Sequence, residues 1–415
     1  MIINFTVQNF GSIKDKQTLS FEADKSTHLE DTYIIQSGKH RILKLALIYG
    51  ANAAGKTTIL EALDFLRRMV MNPLKQKTDV FDFSPFLFDA DTPNQNSFFA
   101  IEFLQNEIKY LYEVEFSQKA IVSEALYSYN PKKNNVFKRT TDLKKQLTEI
   151  SFGSKVSVDT VSEKTLTANT LWNNTALGGF LKTNIECKEL REVVDWFGNY
   201  LNSLIHPRTI LDIFVTRFIE NEKISKSDII SILKKADLNI SDIVLKKRVE
   251  ELPSNESNGI NIQIVREIIS THFEHTVDNV KYTLPFELES EGTKRYYGFA
   301  GLLALLIKTS TAFPIDELET SLHPDLYMHF LLSFLLNAKS SQLIATTHNR
   351  ELLNDKDLFR NDTIWFTNKG EDCATELYSL ADFDTSVIRD TTNILNAYKS
   401  GKLSGTPNLG DTYID

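Results

Sequence analysis

The sequence predicts an α/β fold with an antiparallel β subdomain and a mainly helical insertion, and three observations carry that expectation. Residues 43–49 form a short, nearly continuous apolar run that ends at Gly50, as suits a strand buried on both faces. Directly after the following turn, residues 57–71 place apolar side chains at Ile59, Leu60, Leu63, Leu66 and Val70, a helical spacing that Pro73 closes. Toward the other end, 295–307 reads as a strongly apolar helix, followed by a short strand over 312–316, a helix over 326–337 and a strand over 342–346.

The remaining elements follow from period and punctuation. Residues 2–7 and 18–21 alternate apolar and polar around a turn at Gly11 and Ser12, which reads as a strand pair. Residues 98–103, 110–116 and 121–129 alternate or carry β-formers and suggest a small antiparallel sheet. Between 130 and 162 there are lysine pairs, many Ser and Thr and little periodicity, so a loop-rich excursion is expected. Helical patterns appear at 189–204, 227–235 and 265–273, with a polar loop at 254–259. The expected division is an N-terminal lobe over 1–153, a mainly helical insertion over 154–283 and a C-terminal lobe over 284–415.

Composition narrows the setting. At ~150 residues per domain, 415 residues suggest two to three domains. Apolar residues at 42% and charged residues at 24% are globular proportions. The formal charge of −9 argues against a dedicated nucleic-acid coat, because non-specific DNA affinity comes mainly from neutralising phosphates. Cys187 and Cys373 are too few for a disulfide framework or a thiolate metal site. The longest apolar stretch, 298–307, is about half of what a membrane helix needs. No basic segment followed by an apolar one opens the chain, so no secretory signal is expected and the cytoplasm is the expected compartment.

The chemistry lies in four motifs. Gly50-Ala51-Asn52-Ala53-Ala54-Gly55-Lys56-Thr57, with Thr58 behind it, fits GxxxxGK[ST] without a mismatch. Such a loop wraps phosphate oxygens in backbone N–H groups and adds the positive end of the next helix. Lys56 is placed to neutralise β- and γ-phosphates, and the Thr57 hydroxyl to ligate Mg²⁺. Asp316-Glu317 ends an apolar stretch, where Asp316 would hold the metal and Glu317 would orient or deprotonate a water. Pro314, two residues earlier, suggests a short or irregular strand. Ser290-Glu291-Gly292-Thr293 opens the apolar helix as a further anion-binding end; a plain N-cap would look the same. His348 follows the 342–347 strand, where open α/β sheets put ligands and where contact with the γ-phosphate is expected. The residues alone point to a Mg²⁺-dependent P-loop NTPase.

The order of these motifs resembles the ABC-type ATPases of the SMC/RecF/OLD group. More closely, it is similar to the stand-alone AAA-family ATPases of bacterial phage-defence and abortive-infection operons (RloA-, AriA- and PtuA-like). The likeness runs from the opening Asn9-Phe10-Gly11-Ser12-Ile13 through the P-loop and an ABC-like signature, Ser290 to Arg295. It continues through the acidic pair with Glu319-Thr320-Ser321-Leu322-His323-Pro324, the Thr347-His348 switch, Asp362-Thr363-Ile364-Trp365-Phe366 and Asn408-Leu409-Gly410. It implies an ABC/SMC-head-like fold and a slow ATPase using ATP and Mg²⁺, with Glu317 and His348 as catalytic groups. It also implies a homo-oligomer in which ATP on the Lys56 side of one copy is completed by Ser290 and Gly292 of another, with Ser321 and Leu322 at the seam. On this reading the nucleotide state senses phage infection and controls a toxic effector, with no membrane involved. The alternative is a RecF-like DNA-repair ATPase with DNA as partner; the nucleotide subunit of a transporter fits less well, because of the insertion. The stretch from His348 to Asp415 is shorter than the ~100 residues of a Toprim nuclease domain, so a nuclease or toxin is expected on a separate polypeptide. His272 and His275, at helical spacing without thiolates nearby, are expected to be surface residues rather than a metal site. The basic clusters at 132–133, 138–139, 144–145 and 246–248 read as solvated faces, or otherwise as a DNA or partner surface.

Overall fold

The computed structural model describes residues 1–252, 264–355, 358–383 and 393–406. The expected polar loop at 254–259 and Asn408-Leu409-Gly410 lie outside the described residues. The chain forms two compact units: residues 1–207, 310–318 and 339–415, and residues 208–309 and 319–338. Residues 154–207, expected within the insertion, thus fold with the first unit.

At the centre of the first unit is a five-stranded sheet in the order Ala312–Ile315, Gln342–Thr346, Leu45–Gly50, Ile364–Lys369, Thr375–Ser379. The first four strands are parallel and the last is antiparallel. Every residue of Leu45–Gly50 is buried, and a parallel strand pairs with it along each edge. Pro314 sits in the edge strand, with its carbonyl accepting from Ile205 N at 3.0 Å. Its backbone nitrogen faces that same outer side, so the missing N–H interrupts no bond to the neighbouring strand. Helix Lys56–Met71 buries Ile59, Leu60, Leu63, Leu66 and Val70, the stripe expected from the sequence.

The second sheet of this unit has seven antiparallel strands, running Leu147–Phe152, Lys133–Asp142, Ile121–Tyr129, Ile108–Phe116, Ser97–Gln105, Ile2–Gln8, Gln17–Ser20. Alternating burial along Ser97–Gln105 gives one face to the core. Phe65 of the P-loop helix meets Phe10, Phe83, Phe99 and Phe116 there, with ring centres 5.3–6.2 Å apart. Each such aromatic contributes about 1.5–3 kcal/mol by leaving water. Gln342 ties the two sheets: it accepts from Ile2 N at 2.6 Å and donates to Ile2 O and Leu43 O.

The loop-rich excursion expected over 130–162 is instead largely a hairpin of Lys133–Asp142 and Leu147–Phe152. The period-2 signal was hidden because the inward-facing side chains include a charge. Arg139 is fully buried beside Glu124, with Nε 3.7 Å from the carboxylate, and donates to Ile121 O and Trp172 O. Burial pushes the Glu124 carboxyl above its ordinary range, and Arg139 pulls it back.

The second unit packs helices Asp212–Glu220, Lys226–Lys235, Glu291–Lys308 and Pro324–Asn337 with a three-stranded antiparallel sheet, Asp242–Leu252, Ile264–Val277 and Val280–Pro285. The helical pattern expected over 265–273 is therefore a strand, and the segment expected as mainly helical ends in a sheet. Thr271 and Phe273 are buried between less buried His272 and Glu274, which is strand alternation. Odd spacing on a strand puts His272 and His275 on opposite faces. His275 contacts Asn239 O and Glu289 Oε1, both at 2.7 Å, so the pair makes no metal site. Among the described residues no helix is long and apolar enough to cross a membrane.

Candidate functional site

The P-loop follows from strand to helix within the first unit. Gly50 leaves the sheet where a Cβ would lie 2.3 Å from Thr367 Oγ1 and 2.8 Å from Thr367 O, so only glycine fits. Gly55 caps the helix at φ 92°, with Thr375 Oγ1 2.1 Å from where a Cβ would be. The first N–H groups of the helix then face the loop without partners inside the helix. The Lys56 ammonium is buried and donates to Gly50 O at 2.9 Å and Ala51 O at 3.0 Å, folding back over its own loop. Asn52 and Ala53 are exposed on the crest and Ala54 is buried beneath it.

Strands that are neighbours in the sheet, though distant in sequence, bring up the acidic pair. Thr57 Oγ1 lies 3.1 and 3.2 Å from the two carboxylate oxygens of Asp316. Thr346 Oγ1 donates to Asp316 Oδ1 at 2.6 Å and accepts from Glu317 N at 2.7 Å, so one hydroxyl positions both acidic residues. Glu317 has φ 48°, the left-handed region, so the backbone leaves the extended conformation there. Burial raises the carboxyl of Glu61, one turn along the helix from Thr57; His206 opposes the shift and Asp316 adds to it.

Glu317 and His348 share a cleft of about 840 Å³ with Gly50, Ala51, Asn52 and Ala54. The expected P-loop, acidic-pair and switch residues are thus brought together. Thr58 is directed elsewhere: its hydroxyl lies 3.1 Å from Ser12 Oγ, which in turn accepts from Thr375 Oγ1 at 2.8 Å. Gly11 allows this approach, since a Cβ there would sit 2.7 Å from Thr58 Cγ2. Ser290 and Gly292 belong to the second unit. Ser290 is the N-cap of Glu291–Lys308 and accepts from Thr293 N at 3.1 Å, while Gly292 meets only Ser290 Oγ within 4 Å of an added Cβ.

Sequence reasoning missed Thr346, Arg350, Asn368, Lys369, Tyr398 and Thr406, of which the last five line the cleft. Thr346 stood in the Thr-Thr-His run and could have been suspected as a polar end to a buried strand. The others come from strand ends and turns that no motif marks.

A strand, a glycine-bounded loop and a helix, with a hydroxyl–carboxylate pair and a second carboxylate on one cleft, define a P-loop nucleoside-triphosphatase with an antiparallel β subdomain, the fold class expected. Residues 45–354 match the AAA_21 family, "AAA domain, putative AbiEii toxin, Type IV TA system", and the chain belongs to that family. No curated protein matches it in sequence. Among solved structures, an SMC head domain from Thermotoga maritima is similar at 13% identity and a TM-score of 0.40, covering 91% of this chain and 98% of that one. An SMC head bound to the C-terminal winged-helix domain of ScpA is similar at 13% identity and a TM-score of 0.43, covering 91% and 97%.

Proposed function

We propose that the chain binds ATP with Mg²⁺ in this cleft and hydrolyses it slowly, and that bound nucleotide joins copies of the chain. Ser290 and Gly292 of one copy would complete the site of another. The associated state would report phage infection to a separately encoded toxic effector. The observation that carries the ATPase reading is the hydrogen-bonded chain Thr57–Asp316–Thr346–Glu317, which sets an oxygen pair suited to a metal and a second acidic residue beside the P-loop. The defence reading rests on the description of the family to which residues 45–354 belong and on the motif order.

The residues suit the groups they would hold. Thr57 and Asp316 are hard oxygen donors of the kind Mg²⁺ takes, and Gly50 and Gly55 keep clear a cradle that side chains would fill. When bound, Mg²⁺ supplies charge to the phosphate oxygens. Lys56 brings a buried positive charge to the β- and γ-phosphates, the helix N-terminus adds its dipole, and Glu317 orients or deprotonates the attacking water.

Two variants test the reading. Lys56→Ala should lose nucleotide binding in calorimetry, and normal affinity would refute the site. Glu317→Gln should bind ATP and elute larger than wild type in size exclusion with ATP. No enlargement would end the interfacial model.

A further inference from the structure

We propose that Arg350 is a specificity-determining cation of the cleft: it recognises the terminal phosphate and so separates nucleoside triphosphate from diphosphate. The proposal deepens the ATP reading above and rests on it. Arg350 stands two residues past His348 and lines the same cleft as His348, Glu317 and the P-loop. Its backbone is fixed on both sides. Asn349 N donates to Thr347 Oγ1 at 3.0 Å, and the Asn349 side chain caps Glu351 N at 3.1 Å, starting the short turn Arg350–Asn354. The side chain is exposed, and its guanidinium carbon lies 5.9 Å from the centre of the Tyr398 ring.

Tyr398 is a fixed rest. It is buried, stacks on Phe366 at 5.4 Å and donates its hydroxyl to Gly405 O at 3.0 Å. A cation over an aromatic face at an exposed position is held only about two- to fivefold, so the guanidinium leaves readily for a stronger partner. A phosphate is such a partner: the guanidinium is permanently charged, and its forked donors match two oxygens at once.

The position selects which phosphate. Loop amides cradle the α- and β-phosphates. Arg350 instead lies with Glu317 and His348, beyond the C-terminal ends of the Ala312–Ile315 and Gln342–Thr346 strands, where the chain's water-orienting carboxylate also sits. Among the described residues that line the cleft, Glu317 is the one carboxylate, against Arg350 and Lys369, so an anion is favoured there on a chain of net charge −9.

The test is calorimetric titration of the full chain with Mg²⁺ and either a non-hydrolysable ATP analogue or ADP, for wild type, Arg350→Ala and Arg350→Lys. A charge-assisted bond lost predicts that Arg350→Ala weakens the triphosphate analogue about ten- to hundredfold and leaves ADP within about twofold. Arg350→Lys should fall between, since it keeps the charge and loses the fork. The exposed position means the fold should survive, which unchanged thermal unfolding would verify. Equal loss for both nucleotides, or none for the analogue, overturns the assignment of Arg350 while leaving the ATP reading intact. A wild type that binds neither nucleotide overturns the ATP reading, and this one with it.

Discussion

Replacing Thr346 by valine tests how the acidic pair is held. The side chains are nearly the same shape, and Thr346 is fully buried, so the change removes a hydroxyl and little else. Two bonds go with it: the 2.6 Å donation to Asp316 Oδ1 and the 2.7 Å acceptance from Glu317 N. A bond to a charged group is worth about 1.5–3 kcal/mol, and a buried N–H left unpaired costs about 1–3 kcal/mol. Asp316 keeps Thr57 as a donor, and the added methyl recovers something, so a net loss of about 2–4 kcal/mol is expected. All three tryptophans, Trp172, Trp196 and Trp365, lie in the first unit, so urea unfolding followed by their fluorescence reports on the unit that holds the site. Thr346→Ser is the control, because it keeps the hydroxyl and loses only a methyl. The same valine variant should weaken Mg²⁺-dependent nucleotide binding about 10- to 100-fold, as loss of a residue orienting a metal ligand does. If valine and serine variants unfold within about 0.5 kcal/mol of each other, well below the expected bond energies, the hydroxyl does not organise the pair and the reasoning fails.

Gly50→Ala should abolish nucleotide binding and lower unfolding stability by about 1–3 kcal/mol, since the added carbon meets Thr367 Oγ1 and backbone O; a binding isotherm like wild type would contradict it. Arg139→Ala should cost about 3–5 kcal/mol at pH 7, because it strands the buried Glu124 carboxylate. That loss carries a pH signature. Glu124 already has a raised folded-state pKa, so its ionised form opposes folding; in the variant its contribution to stability should be fully present below the unfolded value and be lost as pH rises through the folded one. Unfolding at pH 5 and pH 7 should therefore show partial recovery at pH 5, and equal penalties would refute it.

Legibility in the sequence followed the range of the interactions. The P-loop strand and helix were readable because one segment carries the whole signal: apolar residues buried on both faces, then a 3.6-residue stripe. The strand at 133–142 was not readable, since one of its inward positions is Arg139, whose partner Glu124 comes from a neighbouring strand. The helix expected over 265–273 failed for another reason: apolar residues near i and i+4 suit both periods, and only pairing with Asp242–Leu252 and Val280–Pro285 settles the matter. Pro314 looked awkward for a strand until the sheet order placed it at an edge.

The sequence by itself determined which residues are candidates for phosphate chemistry: the P-loop, Asp316, Glu317 and His348 are marked out by type and order, because loop amides, a lysine and paired carboxylates have few other reasons to occur in that order. Only the tertiary structure decided which of them meet and what holds them. Parallel pairing of Leu45–Gly50 with Gln342–Thr346, and of that strand with Ala312–Ile315, carries Thr57 to Asp316 and inserts the Thr346 hydroxyl between the acidic residues. The same sheet gathers Arg350, Lys369 and Tyr398 around the cleft, and turns Thr58 away to Ser12. Strand pairing acts across hundreds of residues, so no local pattern records it.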